Sequence, residues 1–327
     1  MTANRAGRFE AYRAAEARLW ASLGITPTER RVRLPTIGSE VRIQEIGAGP
    51  PLLFVHGGST NGTSWADLAA ALPERRCLLL DRPGTGLSAP LPGRIGRFED
   101  LRDIADALIP DILDALRLDA ADVVATSFGG WFALRAALVR PARVRRLVLF
   151  GWTAGAPVGR LPLVLRLGVT PVIGDLVGRL PISEAGVRSI FRAIGSGPAV
   201  ADGRISEAAI DAYAALLRWT PTLGNDRALG RLFFSARGID ERITFRQEER
   251  SRIAAPIGWL WGGRDPFGGE AIATAFVAPF PNAHLTISPD AGHAPWLDDL
   301  AAATAFVRGE LAGRDGDRAR EAGSPIR

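Results

Sequence analysis

Short apolar runs alternate with helical patterns along much of the chain, and this alternation restricts the fold more than any other feature of the sequence. The apolar runs cover residues 52–55, 77–80, 123–125, 144–150, 257–261 and 284–287. Between most of them, apolar residues recur at spacings of three and four, which is typical of amphipathic helices. Because the runs contain few polar residues, we predict strands buried on both faces, in a parallel sheet covered by helices on both sides.

Two segments come before this alternation. Residues 31–34 and 40–46 are short, β-rich and separated by turn-forming residues, which predicts an antiparallel pair at the start of the sheet. Residues 5–23 show the spacing of an amphipathic helix, and they lie in an N-terminal helical extension of residues 1–30.

A long segment interrupts the alternation. Residues 153–250 show helical periodicity broken repeatedly by proline and no strand pattern, so we predict a helical cap over the sheet. The core then consists of residues 31–152 and 251–312. Residues 313–327 are charged and contain glycine, which predicts a disordered tail.

Composition excludes several classes of protein. With 47% apolar and 23% charged residues, the chain is typical of globular proteins. The net charge is +5, but the basic residues are all arginine and are scattered along the chain, so we do not expect nucleic-acid binding. A single cysteine, Cys77, provides neither an internal disulfide nor a thiolate metal site, and no cofactor or metal is expected.

Hydropathy predicts neither a secretory signal nor a membrane span. The first 20 residues carry six charged side chains without a continuous apolar stretch. The most apolar later stretch, residues 161–177, is interrupted by charged residues, proline and glycine. We therefore expect a cytoplasmic protein that does not interact with membranes.

The strongest local signal is a serine between an apolar run and a helical pattern, in the segment ATSFGG at residues 125–130. A serine on a tight strand-to-helix turn projects its hydroxyl above the sheet, and such a turn accepts only small residues two positions away on either side. Ala125 and Gly129 meet this demand around Ser127, although glycine is more common at the first position. A loop serine that caps the following helix fits the same pattern, so both interpretations stay open at this point.

A second signal, HGGS at residues 56–59, directly follows the apolar run 52–55. Glycines there allow the backbone to approach a ligand and to direct N–H groups at it, as an oxyanion hole requires. Gly58 is the candidate donor, with Ser59 as the adjacent alternative and the N–H of Phe128 as the second donor. An ordinary turn explains the same residues equally well.

Asp265 and His293 each lie in a loop after one of the last two predicted strands. Ligands of open α/β sheets bind outside the carboxyl ends of the strands, so these residues and Ser127 are expected to converge there. A serine nucleophile needs a neutral imidazole to take its proton and a carboxylate to orient the ring. His293 is the candidate base, because His56 and His284 are better explained as structural hydrogen-bonding residues.

Together these motifs resemble the α/β-hydrolase superfamily, and in particular its members with a cap. The resemblance covers residues 31–311. It includes, in the family's order, HGG at 56–58, DRPGTGLS at 81–88, the serine turn, GGRD at 262–265 and GH at 292–293. It implies an eight-stranded, mostly parallel sheet with helices on both faces and a cap inserted after the sixth strand. It also implies acyl transfer by a catalytic triad of Ser127, Asp265 and His293.

Several reactions of this superfamily stay open. Relatives that open epoxides or displace halide use aspartate at the nucleophile position, and relatives that cleave cyanohydrins use a lysine, which this chain lacks. We expect a serine hydrolase that cleaves a carboxylic ester, or a related acyl bond, of a small and largely apolar substrate. The alternatives are a hydrolase of carbon–carbon bonds in ring-cleavage diketones, a cofactor-free haloperoxidase-like enzyme and a non-catalytic ligand receptor.

The substrate pocket is expected between the cap and the motif loops, with a small molecule as the partner. Its candidate residues are Ser59, Trp152, Trp261 and Trp296. Core packing is the alternative role of each tryptophan. Three cap arginines, Arg188, Arg192 and Arg218, are candidates for binding a substrate carboxylate, with a solvated face as the alternative. The oligomeric state stays open, with a homodimer among the alternatives.

Overall fold

The computed structural model describes residues 2–93, 95–159, 182–235 and 238–322. The strands are β1 (Thr28–Leu34), β2 (Ser39–Ile46), β3 (Pro51–Val55), β4 (Arg76–Leu80), β5 (Ala121–Thr126), β6 (Val144–Thr153), β7 (Phe234–Ser235), β8 (Gly238–Ile239), β9 (Ile257–Gly262) and β10 (Ala283–Ser288). Eight of them form one sheet in the order β1-β2-β4-β3-β5-β6-β9-β10. β2 runs antiparallel to β1 and β4, and the other neighbours run parallel. The predicted mostly parallel, eight-stranded sheet is confirmed.

Helices cover both faces of this sheet. They are α1 (Thr2–Ser22), α2 (Ala66–Ala70), α3 (Phe98–Ala115), α4 (Ser127–Val139), α5 (Glu184–Ala193), α6 (Gly197–Ala201), α7 (Glu207–Trp219), α8 (Thr222–Phe233), α9 (Gln247–Ser251), α10 (Glu270–Val277), α11 (Pro295–Asp298) and α12 (Leu300–Ala322). Within the described residues, single 3₁₀ turns lie at Gly62–Trp65, Pro141–Arg143 and Glu241–Ile243. The layers follow the predicted α/β alternation.

The central strands are buried on both faces. In β3, Leu53 and Val55 pack into the hydrophobic cluster under α3 and α4, whereas Leu52 and Phe54 pack into the cluster under α2 and α12. This division follows from the alternation of side chains along a strand. Burial of each such side chain contributes about 1.5–3 kcal/mol, so the sheet is a rigid base for the loops at its carboxyl edge.

The cap lies between β6 and β9, as expected from the sequence. Its described part contains α5 to α9, and residues 160–181 lie outside the described residues. The prediction that the cap contains no strands is wrong, because β7 and β8 form a short antiparallel hairpin of two residues each. So short a hairpin leaves too few alternating residues for a sequence pattern to reveal it.

The N-terminal helix α1 connects the cap to the core. It packs along the cap helix α7, and Arg18 pairs with Asp211 of that helix at 2.6 Å. On another side of the same helix, Leu19 and Trp20 enter the core cluster under α2 and α12. α1 therefore touches both parts of the molecule.

A buried ionic cluster also joins α1 to the core. Arg42 of β2 is fully buried, with its guanidinium nitrogens 2.7 Å from both carboxylate oxygens of Glu16 and 2.8 Å from Asp81. Burial alone raises the pKa of Glu16, but the charge and hydrogen bonds of Arg42 outweigh this and lower it. One guanidinium thus holds α1 against the sheet next to the loop that follows β4.

The predicted disordered tail is corrected in part. Helix α12 continues to Ala322, so residues 313–322 are helical, and 323–327 lie outside the described residues. The helix is anchored by the buried Val307 and Leu311. Within the described residues, no helix combines the length and the hydropathy needed to cross a bilayer.

Candidate active site

Ser127 lies at the turn from β5 to α4. Its φ of +52° is in the left-handed region, which residues other than glycine rarely adopt. A Cβ at Gly129 would lie 2.1 Å from the carbonyl oxygen of Val55, so only glycine allows α4 to start this close to β3. The small residue that the sequence pattern demanded is explained by this approach.

His293 and Asp265 form a hydrogen-bonded pair at the carboxyl edge of the sheet. His293 Nδ1 lies 2.9 Å from Asp265 Oδ2. The buried carboxylate also accepts hydrogen bonds from two backbone N–H groups, of Trp152 at 2.7 Å and of Phe267 at 3.0 Å. Because a carboxylate only accepts, Nδ1 carries the proton and Nε2 is left as the basic nitrogen.

The end of β6 links Ser127 to this pair. The N–H of Ala154 donates to the Ser127 carbonyl at 3.2 Å, and Trp152, two residues earlier, holds the aspartate. Gly151 has a φ of +60°, and a Cβ there would lie 2.3 Å from the His293 carbonyl oxygen. The structure therefore gathers the three predicted catalytic residues around the last residues of one strand.

The glycine loop after β3 runs beside the serine. A Cβ at Gly57 would lie 3.0 Å from Ser127 Cβ and 3.7 Å from its Oγ. A Cβ at Gly58 would lie 3.3 Å from the ring of Phe128. The backbone at Gly57 thus passes close to Ser127, and Gly58 lies against the ring of Phe128, the residue after the serine. The roles of Gly58 and Phe128 as oxyanion donors stay predictions.

Ser59 is corrected as an alternative donor. Its N–H donates to Oδ2 of Asp226, a cap residue, at 2.6 Å, and its φ is +57°. A committed N–H cannot also serve an oxyanion without losing this bond. Gly58 is therefore the candidate donor that remains on this side of the site.

The other two histidines have structural roles. His56 is buried, its Nε2 accepts the Arg82 N–H at 3.1 Å, and its Nδ1 lies 2.8 Å from the Gly57 carbonyl oxygen. Burial and the Arg82 guanidinium hold its pKa well below the ordinary value, so the ring is neutral. His284 is exposed and lies 3.2 Å from Glu310.

Aromatic rings from the core and the cap surround the site. Trp152 stacks on Phe267 with ring centroids 5.0 Å apart, and Phe267 lies 4.6 Å from the His293 ring. On the other side, Phe128 stacks on the cap residue Phe233 at 4.3 Å. These rings make the surroundings of the triad apolar. Trp152 is itself fully buried in the core cluster, so its role in a substrate pocket stays a prediction.

Two predicted pocket residues belong to the core instead. Trp261 is fully buried in β9, lies beside Trp259 and donates its indole N–H to Gly268. Trp296 stacks on Trp65 with centroids 4.1 Å apart, in the cluster under α2 and α12. Both follow site motifs in the sequence, but their side chains point into the packed faces of the sheet.

The three cap arginines lie on the surface. Arg188 pairs with Glu207, a largely exposed residue, and Arg192 is exposed. Arg218 is exposed and lies over the ring of Trp219 at 4.5 Å. The solvated-face interpretation therefore fits them, and none is placed to bind a substrate at the triad.

Sequence reasoning missed several cap and loop contacts of the site. The carbonyl of Ile194, in the cap, accepts the His293 N–H at 2.8 Å. The buried carboxylate of Asp298 accepts the Gly292 N–H at 2.8 Å, and burial raises the pKa of this carboxyl. Closeness in sequence to His293 was a signal for Asp298, the last residue of α11, whereas cap contacts such as those of Ile194 and Asp226 leave no local pattern.

In the part of the chain that the structure describes, no group of three or more His, Cys, Asp or Glu side chains is arranged to hold a metal ion. Burial raises the pKa of the Cys77 thiol to about 12, so this cysteine stays protonated and unreactive.

Comparison with known proteins identifies the family. The sequence model of the alpha/beta hydrolase family matches residues 52–306. The 2-hydroxymuconate semialdehyde hydrolase of Pseudomonas sp. (strain CF600) is 38% identical over 128 residues, which cover 36% of this chain and 44% of that protein. The chain thus spans less than half the length of this relative. A 2-hydroxy-6-oxononadienedioate/2-hydroxy-6-oxononatrienedioate hydrolase of Cupriavidus pinatubonensis is 27% identical over 82% of this chain and 90% of that protein.

Solved structures show the same fold. Carboxylesterase CesB (YbfK) from Bacillus subtilis superposes with a TM-score of 0.70 at 18% identity, covering 94% of this chain and 99% of that chain. The 2-hydroxy-6-oxo-6-phenylhexa-2,4-dienoate hydrolase of Rhodococcus sp. strain RHA1 gives 0.71 at 16% identity, covering 88% and 100%. The family match extends over well more than half of the chain, and this protein therefore belongs to the α/β-hydrolase family.

Proposed function

We propose that this protein hydrolyses a carboxylic ester, or a related acyl bond, of a small apolar substrate through a serine acyl-enzyme. The observation that carries the proposal is the 2.9 Å hydrogen bond between His293 and Asp265, at the sheet edge where Ser127 lies on its strained turn. A serine hydroxyl is activated by a base and a group that orients the base, and these two residues supply such a pair.

Acylation begins when Ser127 Oγ attacks the carbonyl carbon of the substrate and His293 Nε2 takes the hydroxyl proton. The negative charge that forms on the carbonyl oxygen is stabilised by the N–H groups of Gly58 and Phe128. The tetrahedral intermediate then expels the alkoxide, and the imidazolium of His293 donates its proton to it.

Deacylation repeats these steps with water. His293 takes a proton from a water molecule, the hydroxide attacks the acyl carbon, and the same donors hold the second oxyanion. Collapse of this intermediate breaks the bond to Ser127 Oγ, which recovers its proton from His293. Asp265 remains ionised throughout and stabilises each imidazolium.

An apolar, ring-containing acyl group fits the surroundings of the triad best. Phe128 and Phe267 lie beside the triad with a small part of each side chain exposed, and the fully buried Phe233 and Trp152 stack behind them. Aromatic walls of this kind bind ligands by burying apolar area, with a few polar groups fixing their orientation.

Carbon–carbon hydrolysis is the second candidate, favoured by one observation. The two sequence relatives described above are named as hydrolases of a semialdehyde and of oxo-dienedioates. Such acidic substrates call for a cation near the triad. Among the residues that the structure describes, Arg188, Arg192 and Arg218 lie on the surface and the buried Arg82 is paired with Asp226, which supports the uncharged ester as the first candidate. The cap arginines Arg160, Arg166 and Arg179 lie outside the described residues.

A substrate panel tests both candidates. We would measure turnover of p-nitrophenyl esters of graded acyl length and of a 2-hydroxy-6-oxo-dienoate, with Ser127→Ala as the blank. The proposal predicts serine-dependent ester turnover that increases for larger apolar acyl groups. Turnover of the dienoate alone would replace the ester with the carbon–carbon bond. Stoichiometric acylation without turnover would instead indicate a ligand receptor.

A further inference from the structure

The N–H of Gly58, the candidate oxyanion donor, shares a peptide plane with the carbonyl group of Gly57, which lies within hydrogen-bond distance of three side chains. The carbonyl oxygen of Gly57 lies 2.8 Å from Arg82 Nη2, 2.8 Å from His56 Nδ1 and 3.1 Å from Thr60 Oγ1. This carbonyl and the N–H of Gly58 belong to the same peptide bond. Three donors therefore fix the plane in which that N–H lies.

The direction of the Gly58 N–H follows from this geometry. In a trans peptide the C=O and the N–H point in opposite directions, so fixing one fixes the other. The peptide plane joins two glycines, whose backbone rotates more freely than that of other residues. Without the three donors, this plane would therefore be free to rotate. The donors to Gly57 thus decide where the Gly58 N–H points.

Arg82 is in turn held by the cap. Its Nη2 lies 2.9 Å from Oδ2 of Asp226 in α8, and both side chains are only 1% exposed. The same carboxylate oxygen accepts the N–H of Ser59 at 2.6 Å. The carboxylate of Asp226 therefore restrains both sides of Gly58. It holds the Gly57–Gly58 peptide through Arg82, and it binds the N–H of Ser59 directly.

Helix α8 is docked on this part of the core by further contacts. The N–H of Gly86 donates to Thr222 Oγ1 at 2.8 Å, and Asn225 Nδ2 donates to the carbonyl of Pro83 at 3.3 Å. Near the other end of the helix, Phe233 stacks on Phe128, which carries the second oxyanion N–H. The cap helix α8 thus contacts residues next to both candidate oxyanion donors.

We propose that Asp226 and Arg82 are positioning residues, which aim the Gly58 N–H at the developing oxyanion when α8 is docked. The inference rests on the proposed function, since it assigns these residues to the oxyanion hole of that reaction. It also gives the segment DRPGTGLS at 81–88 a role in docking the cap. Neither residue touches the reacting atoms, and both act through the backbone of the glycine loop.

The test compares three variants with the wild-type protein. Asp226→Asn keeps the shape of the side chain but removes the charge that holds Arg82. Thr60→Val removes one donor to the Gly57 carbonyl and leaves the ion pair intact. The matched control is Asp211→Asn. It removes another cap carboxylate that is paired with an arginine, Arg18, where the cap packs on α1.

Two readouts separate alignment of the oxyanion hole from a structural role. The first is the split between kcat and KM for the preferred p-nitrophenyl ester. The second is the inhibition constant of a trifluoromethyl ketone, which forms a tetrahedral adduct with Ser127 and places its oxyanion in the hole. Alignment predicts that the inhibition constant rises by the same factor by which kcat/KM falls.

The expected result for Asp226→Asn is a fall in kcat of about 10- to 100-fold, with KM changed by less than about 3-fold. This is somewhat below the roughly 10²–10³-fold effect of losing an oxyanion donor outright. Thr60→Val should show the same split with a smaller fall, and it decides the matter if Asp226→Asn does not fold. Asp211→Asn should leave both readouts unchanged.

Three results would overturn the proposal. The first is that Asp226→Asn and Thr60→Val both fold and keep the wild-type kcat. The second is that these variants raise KM and leave kcat unchanged. The third is an equal loss in Asp211→Asn, which would assign the effect to docking of the cap in general. If wild-type protein neither turns over esters nor binds the ketone, the proposed function itself fails, and this inference fails with it.

Discussion

The two halves of the candidate site are held in different ways. Asp265, on the base half, is fixed by backbone N–H groups of Trp152 and Phe267, which belong to the core. The Gly57–Gly58 peptide, on the oxyanion half, is fixed by side chains, one of which depends on a cap carboxylate. The base half should therefore tolerate changes in the cap, whereas the oxyanion half should respond to them.

The cap also reaches the base half, at backbone groups in and after the histidine loop. Arg204 of the cap donates to the carbonyl of Asp298, and the carbonyl of Ile194 accepts the His293 N–H. No side-chain substitution at Ile194 removes this acceptor. Substitutions in the cap should thus act mainly on the oxyanion hole, and this contrast can be tested with the following variants.

Removal of the nucleophile sets the lower limit for both halves. We expect Ser127→Ala to reduce kcat by a factor on the order of 10⁶, because neither the base nor the oxyanion hole can act without the attacking oxygen. Turnover of a p-nitrophenyl ester measures the effect, and the thermal midpoint reports whether the fold is kept. Activity within tenfold of the wild-type value would assign the nucleophile to another residue.

The base half is tested by Asp265→Asn. An amide at this position donates to Nδ1 and favours the wrong tautomer of His293, so kcat should fall by about 10⁴-fold. Asp290→Asn is the matched control, because its exposed carboxylate pairs with Arg264 beside the same loop. The control should keep full activity. Equal activity of the two variants would show that the ring is oriented by other groups.

The substitution Gly151→Ala tests how closely the core backbone supports the base half. Alanine at a positive φ costs about 1–2 kcal/mol in free energy of unfolding. At Gly151 its Cβ would also lie 2.3 Å from the His293 carbonyl oxygen, which displaces the histidine loop. Displacement of a catalytic group by about 1 Å costs roughly 10²-fold in rate, and we expect kcat to fall by about that factor.

Gly203→Ala is the matched control for this prediction. Gly203 has a φ of +69°, and a Cβ there would meet nothing within 4 Å. Its substitution should lower the free energy of unfolding, measured in urea, without any change in kcat. If both variants lose the same activity, the contact with the histidine loop is not what matters.

The smallest expected effect concerns pH and the oxyanion half. Burial holds the pKa of His56 well below its ordinary value of about 6.5, so the unfolded chain binds a proton there that the native protein does not. The stability from this group is complete above about pH 6.5 and is lost as the pH falls, by up to about 1.4 kcal/mol per unit.

Urea unfolding between pH 7.5 and 5.5 checks this dependence. His284→Gln, which changes an exposed histidine at the end of the sheet, should keep the acid-side loss of stability. A free energy of unfolding that stays constant over this range in the wild-type protein would mean that His56 is not kept neutral by the fold.

The sheet and the position of the triad could be predicted because their signals are local. Buried parallel strands are apolar runs, and the turn at Ser127 requires a small residue at Gly129, whose Cβ would collide with β3. The chain order of Ser127, Asp265 and His293 and the sheet topology then bring the three together. These features need no knowledge of distant contacts.

The remaining features depend on contacts between distant residues. Asp226 is one of many cap carboxylates, and its importance comes from Arg82 and Ser59, which lie far away in the sequence. Trp261 and Trp296 follow site motifs but pack into the core, because the direction of a side chain depends on the exact end of its strand or helix. Sequence patterns carry neither kind of information.

The most direct test of the account is to locate the covalent adduct formed by an active-site phosphonate. The wild-type protein would be treated with an alkyl fluorophosphonate, digested and analysed by mass spectrometry, in parallel with Ser127→Ala. The account predicts one adduct per chain, on the peptide that contains Ser127, together with loss of ester turnover. Turnover that survives complete labelling of Ser127, or an adduct on a different residue, would contradict it.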